Sequence, residues 1–252
     1  MGRIEGKVAL ISGTGGGQGR AAALRFSREG AKVFGCDLNA GAQQETLDLI
    51  QAEGLQMAGS GSVDLGDPEQ ASAWVDAAVA EYGRIDILYN NASAARFASI
   101  ADMSIEDWHY TLRNELDIVF FPTKYAWPHL AVRGGVIINI SSVAAWGAST
   151  VTGIGAHSAA KAGVVAVTRQ MAIEGVKSRI RAVSISPGVI ATPGTLPFLA
   201  NPATRSILLD GVPMERPGES DEVVATALFI ASDEASYITG TDIVVDGGML
   251  AL

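Results

Sequence analysis

The stretch Ser12-Gly13-Thr14-Gly15-Gly16-Gly17-Gln18-Gly19-Arg20 follows an apolar run and precedes the helical pattern that begins AAALRF. A chain turning this sharply on glycines lets a ligand approach its backbone. It also aims free N–H groups and the positive end of a helix dipole at an anion. In the order strand, turn, helix, the glycines therefore predict a phosphate site. Asp37 ends the next apolar run, 18 residues past Gly19. An acid at that place can accept hydrogen bonds from both hydroxyls of a ribose, and it repels a 2′-phosphate. Leu38 and Asn39 follow it, Gly16 brings no basic side chain, and Arg20 is the nearby cation. The pair predicts a dinucleotide site that prefers NAD to NADP; the plainer role for Asp37 is to cap the next helix. Farther along, His157 and Lys161 stand one helical turn apart, so an imidazole and an ammonium share one face. His109 and His129 have no cysteine or acidic cluster at ligand spacing, and no metal is expected.

These residues need elements to position them. Short apolar runs at Lys7–Ser12, Lys32–Asp37, Gln56–Val63, Ile85–Asn90, Gly135–Ser141, Ile180–Ser186 and Asp242–Asp246 read as strands. Several are unbroken Val/Ile/Leu stretches, as in parallel strands buried on both faces. Helical patterns lie between them at Gly19–Arg28, Ala42–Glu53, Pro68–Tyr82, Ile105–Ala131, Ala156–Val176 and Asp221–Ile230. Ser104 with Asp107 reads as a helix start, and Pro122 and Pro128 are expected to kink or end that long helix. Strand–helix alternation predicts an α/β fold with crossover connections and helices on both sides of a parallel sheet. Pro187–Gly218 is too long for a plain connection and reads as a lid over a site.

The chain has 252 residues, 48% hydrophobic and 18% charged, with a formal net charge of −9. Disordered and fibrous classes are excluded. The acidic balance argues against nucleic acid or an anionic membrane as partner. The lone cysteine, Cys36, forms no internal disulfide and reads as a small buried apolar residue, so a reducing cytoplasm fits. No signal peptide is visible at the start, Gly6 stands where myristoylation wants Ser or Thr, and no run is long and apolar enough to span a membrane. One domain over 1–252 is expected, with the lid at 187–218.

The spacing Gly13-x-x-x-Gly17-x-Gly19 resembles that of the short-chain dehydrogenase/reductase family. Further stretches agree in order: Val63-Asp64-Leu65, Asn90-Asn91-Ala92-Ser93, Asn114, Asn139-Ile140-Ser141-Ser142, Ser158-Ala159-Ala160-Lys161, Pro187-Gly188-Val189-Ile190-Ala191-Thr192 and Val245-Asp246-Gly247-Gly248. The resemblance implies a single-domain Rossmann fold, a doubly wound seven-stranded parallel sheet, and a nicotinamide cofactor. By the same resemblance Gly13, Gln18, Gly19 and Asp37 hold the adenosine and pyrophosphate half, Asp64 and Leu65 the adenine, and Asn91 and Ala92 flank the ribose. Lys161 takes the nicotinamide ribose, and Pro187, Gly188, Ile190 and Thr192 lie at the carboxamide. Ser142 orients the substrate oxygen, and Asn114 holds a water behind Lys161. Ala144 and Trp146, in the run Ser142–Ile154, line the substrate pocket, although Trp146 serves as well in the core. A homotetramer is the expected assembly.

Two positions depart from the family pattern. Four residues before Lys161, where the family has its catalytic tyrosine, stands His157, and no tyrosine lies between Tyr125 and Tyr237. Ser93 stands where the family usually has glycine. An imidazole titrates near 6.5 when unperturbed, against about 10 for a phenol. Beside the Lys161 charge the ring is expected to be neutral, a fair base for an alcohol proton and a poor donor to a ketone. Three readings stand. The first is a dehydrogenase of apolar secondary alcohols that uses His157, since Pro187–Ala203 carries no charge. The second is a non-redox isomerase or lyase. The third is an NAD-binding protein with impaired chemistry, whether a pseudoenzyme or an inactivated variant. The intact Asn114, Ser142 and Lys161 favour the first.

Overall fold

The computed structural model describes residues 2–150 and 152–252. Seven strands form one sheet: β1 (Val8–Ser12), β2 (Lys32–Asp37), β3 (Met57–Gly61), β4 (Ile87–Asn90), β5 (Gly135–Ile140), β6 (Ile180–Pro187) and β7 (Asp242–Val245). Their order is β3-β2-β1-β4-β5-β6-β7, and every pair is parallel. Winding reverses between β1 and β4. In an open α/β sheet the ligand crevice lies there, beyond the carboxyl ends of the strands.

Alternate strand residues feed opposite layers. Ile87 and Tyr89 pack with Phe26 of α1 (Gly17–Arg28), Ile50 of α2 (Ala40–Ala52) and residues of a late helix such as Leu228. Leu88 packs with Trp74 of α3 (Pro68–Tyr82) and residues of two later helices, Leu130 and Val164. Both faces are covered, which is why the central strands read as continuous apolar runs. Strands and helices fall where the sequence patterns place them, with ends moved by a residue or two. This is one α/β domain of Rossmann type.

Three local expectations change. The segment Ile105–Ala131 is not one helix bent at its prolines. α4 (Ile105–Leu112) runs into a single π-helical turn, Arg113–Asp117, and then α5 (Ile118–Ala131). Both prolines sit inside α5. Each removes one backbone hydrogen bond, but α5 is held from outside by the buried Val119, Ala126 and Leu130 on the α3 side of the sheet. Asp37 is not the cap of α2: Asn39 is, its side chain accepting from the Ala42 N–H. The stretch 187–218 is not featureless. It holds α7 (Leu196–Ala200), α8 (Pro202–Leu209) and a two-residue ladder pairing Ile190–Ala191 with Gly218–Glu219. α6 (Gly155–Gly175) and α9 (Ser220–Ala231) complete the layers. Ser104 opens α4 as expected, accepting from the Asp107 N–H. No helix among the described residues is long and apolar enough to cross a membrane.

Candidate active site

A cleft of about 450 Å³ opens at the carboxyl ends of β1, β2 and β4. Gly13 and Gly17 adopt left-handed backbone, φ 72° and 51°. A Cβ at Gly13 would stand 2.9 Å from the Ala92 Cα, and one at Gly19 would stand 2.0 Å from the Gly13 carbonyl oxygen, so the turn closes only on glycine. Gly16 precedes α1 with no side-chain cap, and the first turn of α1 carries no acid. The N–H groups there are left to an incoming anion. Gln18 Oε1, also on the cleft wall, is buried without a hydrogen-bond partner. A bare glycine cradle at a helix start, its N–H groups unclaimed, fits the pyrophosphate end of a dinucleotide.

Farther out, Asp37 lines the cleft while its carboxylate accepts from the Gly15 N–H at 2.9 Å and the Asn39 N–H at 2.8 Å. Each oxygen keeps a further lone pair for a ribose hydroxyl. Arg20 turns away: its guanidinium donates to the Gly15 and Ala42 carbonyls, Thr46 and Glu45. Asp64 pairs with Arg113 at 2.8 Å and Leu65 is buried beside it, both on the cleft wall. Asn91 ties β4 to β1 by donating to the Ser12 carbonyl at 3.1 Å, while Ser12 Oγ accepts from the Asn91 and Ala92 N–H groups. Past β6, Thr192 reaches the cleft with Pro193 and Gly194. Ile190 instead turns its side chain into the core beside α1 and α9. Pro187 ends β6, and the Gly188 N–H donates to the Val245 carbonyl, a contact whose closeness to Asp246 leaves no room for a Cβ.

The first two turns of α6 carry His157 and Lys161, which do not line the cleft themselves but meet its wall through Glu115, hydrogen-bonded to Ser93 there. Lys161 is 3% exposed, and its Nζ donates to the Ile140 carbonyl at 3.1 Å, where β5 ends. Both meet a residue that the sequence reading passed over. Glu115, carried inward by the π-helical turn and 1% exposed, places Oε2 at 2.7 Å and Oε1 at 2.9 Å from His157 Nδ1. Its Oε1 lies 3.8 Å from Lys161 Nζ and accepts from Ser93 Oγ at 2.6 Å. Phe97 stands edge-on to the His157 ring, centroids 5.7 Å apart. Burial pushes the Glu115 carboxyl up, but the Lys161 ammonium, His157 and Ser93 outweigh it and hold it below the usual carboxylate range. Burial lowers Lys161, and Glu115 offsets only part of that. Glu115 could have been found: Thr111, Glu115 and Val119 share one helical row, and its neighbours on that row are core residues. An acid on such a row needs buried partners.

Ser142 follows β5, its hydroxyl accepting from the Ala144 N–H at 3.1 Å, and Ala144 is buried. Asn114 lines the cleft; its amide donates to the Tyr110 carbonyl at 2.8 Å and its own carbonyl accepts from the Ala94 N–H. Trp146 is placed in a separate groove with Thr241, Val244 and Leu250: its indole N–H donates to Asp242 at 3.0 Å and the Arg169 guanidinium lies over its ring. Half-exposed and held by two polar partners, it is not plain core. Cys36 is buried in β2, as a small apolar residue would be, and burial pushes its thiol up. Among the described residues His157 Nε2 has no hydrogen-bond partner, while Nδ1 is held by Glu115.

The model of the enoyl-(acyl carrier protein) reductase family matches residues 13–250. The chain is 39% identical to the 3-oxoacyl-[acyl-carrier-protein] reductase FabG of Thermotoga maritima, over 98% of this chain and 99% of that protein. The crystal structure of a short-chain dehydrogenase/reductase from Burkholderia xenovorans superposes with a TM-score of 0.94 at 35% identity, covering 100% of this chain and 99% of that one. A 7α-hydroxysteroid dehydrogenase solved with NADH and 7-oxo glycochenodeoxycholic acid superposes at 0.91, with 31% identity; the match covers 98% of this chain and 95% of that chain. With a Rossmann sheet, a glycine cradle and these relatives, the chain belongs to the short-chain dehydrogenase/reductase family of oxidoreductases.

Proposed function

We propose that the protein is an NAD-dependent dehydrogenase of an apolar secondary alcohol, running in reverse as a ketone reductase. The observation that carries this is His157, held at Nδ1 by Glu115, which in turn accepts from Ser93 on the wall of the nucleotide cleft. Bound NAD would supply the acceptor for the hydride of the carbinol carbon. The hydroxyl proton goes to His157 Nε2, so alcohol and NAD give ketone, NADH and one proton. Ser142 orients the substrate oxygen and Asn114 keeps a water behind Lys161. Lys161 holds the nicotinamide ribose, and Pro187, Gly188, Ile190 and Thr192 border the carboxamide. Gly13, Gln18 and Gly19 hold the pyrophosphate, Asp37 the adenosine ribose, Asp64 and Leu65 the adenine, and Asn91 and Ala92 the inner ribose.

The choice of NAD over NADP is supported by the cleft walls, which among the described residues include the acids Asp37 and Asp64 and neither lysine nor arginine. An apolar substrate is supported by Phe97 at the His157 ring, by Leu196 and Phe198 exposed on α7, and by the first charge in that segment being Arg205. Residues 187–218 are the lid in this reading. The expected assembly is a homotetramer in the cytoplasm, with no nucleic-acid or membrane partner.

The test is absorbance at 340 nm with NAD and a panel of apolar secondary alcohols. The parent should produce NADH in step with ketone, and His157→Ala should lose about 10²–10⁴-fold in kcat, the usual worth of a positioned acid–base group. Product without NADH would replace this reading with the isomerase or lyase. An inactive parent that gains activity as His157→Tyr would replace it with an inactivated site.

A further inference from the structure

The two departures from the family pattern, Ser93 and His157, touch one carboxylate. We propose that Glu115 is the positioning residue of the proton carrier: it fixes the His157 tautomer and faces the charge that forms on the ring, while Ser93 and Lys161 hold it in place. The rate consequence rests on the dehydrogenase reading above; the geometry does not.

Glu115 is held below the usual carboxylate range, first against its burial and then by Lys161, His157 and Ser93. An ionised carboxylate only accepts hydrogen bonds. The nitrogen 2.7 Å from Oε2 must therefore carry a proton, and the neutral ring is the Nδ1–H tautomer with its lone pair on Nε2. The ring cannot pivot freely, because Phe97 packs on it edge-on and α6 fixes its Cα. Proton uptake at Nε2 gives an imidazolium whose charge meets a carboxylate already in contact. Glu115 touches the ring and also lies 3.8 Å from Lys161 Nζ, so the ring does not meet the ammonium charge uncompensated. The ring can therefore return the proton to a ketone as well as remove one from an alcohol. The same carboxylate disfavours an ionised phenol at position 157. A tyrosine needs the Lys161 charge to itself, and here Glu115 shares it.

Two measurements test this. In protein carrying ¹⁵N-histidine, assigned with His157→Ala, the neutral His157 ring should show a protonated Nδ1 and a bare Nε2; Glu115→Gln should lose that preference. Kinetically, Glu115→Gln should lower kcat by about 10²–10⁴-fold, as neutralising the orienting acid of a His–acid pair does elsewhere, with KM within about threefold and with Glu115→Asp recovering part of the loss. His157→Tyr alone should be poor, and His157→Tyr with Glu115→Gln should be better than His157→Tyr, a reversal of sign that a merely structural Glu115 does not produce. If Glu115→Gln fails to fold, the parent spectrum carries the test together with Ser93→Gly, which removes one donor from Oε1 and should weaken the Nδ1–H preference without abolishing it. A parent ring protonated on Nε2 overturns the proposal, as does an active Glu115→Gln enzyme within threefold of the parent kcat. The expected tautomer in a parent that makes no NADH would confirm the His157–Glu115 pairing and remove the dehydrogenase reading instead.

Discussion

Lys161 and Glu115 are each buried to within a few per cent, and neither could be so alone, because an isolated charge loses its hydration on burial. Lys161 was legible through the stretch Ser158-Ala159-Ala160-Lys161, part of the family resemblance, and through its place one helical turn from His157. Glu115 was not, because its meaning comes from residues 22 and 42 positions away that only the fold brings to it. In the proposed NAD-dependent reading a single side chain also sets cofactor choice. Asp37 is held by two backbone N–H groups at the tip of β2 and lines the cleft, where in that reading its charge would repel a 2′-phosphate. Asp37→Ala should therefore narrow the preference for NAD over NADP, read as the ratio of kcat/KM values, by about tenfold. That is the worth of roughly 1.4 kcal/mol from one close charge near a surface. An unchanged ratio would mean that something other than Asp37 excludes the phosphate.

Elements are where local rules and packing part company. A parallel sheet covered on both faces followed from alternation, and the seven strands lie where apolar runs stand. The break in the α4–α5 segment did not, since proline chemistry pointed at 122 and 128 while packing allowed the helix to pass both and put the wide turn at Arg113–Asp117. A π-helical turn leaves no composition signal, yet here it aims both Asn114 and Glu115. The opposite wall of the site, α6, is fixed by a buried chain of amides and hydroxyls. Asn139 on β5 accepts from Asn90 on β4 at 2.8 Å and donates to Thr168 on α6 at 2.8 Å, and Asn90 donates on to Thr123 on α5. Asn139→Ala strands one of these partners in a dry interior. It should cost about 1–3 kcal/mol, the penalty for an unsatisfied buried polar group, seen as a lower urea midpoint with unchanged slope. A midpoint equal to the parent's would mean that the chain of bonds contributes nothing net.

At the scale of the whole molecule, acids outnumber bases by 27 to 18, and the fold binds several of those acids tightly. Arg216 and the Glu219 N–H hold Glu222 down to about 2, Lys7 lowers Asp233, and Lys161, His157 and Ser93 together lower Glu115 against its burial. An unfolded glutamate titrates near 4.3. For a carboxyl lowered on folding, the stabilisation is complete above the unfolded value and disappears as pH falls through the folded one, because the unfolded chain then binds more protons. Asp117, raised by burial with Arg113 partly opposing, works the other way, but it is one group against several. Thermal midpoints should therefore hold between pH 6 and 8 and fall steadily below about pH 4.5. Replacing Glu222 by Gln should flatten the fall only between about pH 4 and 2. That change should be slight, because the Arg216–Glu222 pair is half exposed and water screens it. Glu115→Gln should instead lower the midpoint at pH 7, since Lys161 then keeps its burial and loses its counter-charge. A parent as stable at pH 3 as at pH 7 would contradict the direction assigned to all three acids at once. A parent that loses stability at acid pH, with Glu115→Gln already weakened at pH 7, would locate the sensitive charges inside the site rather than on the surface.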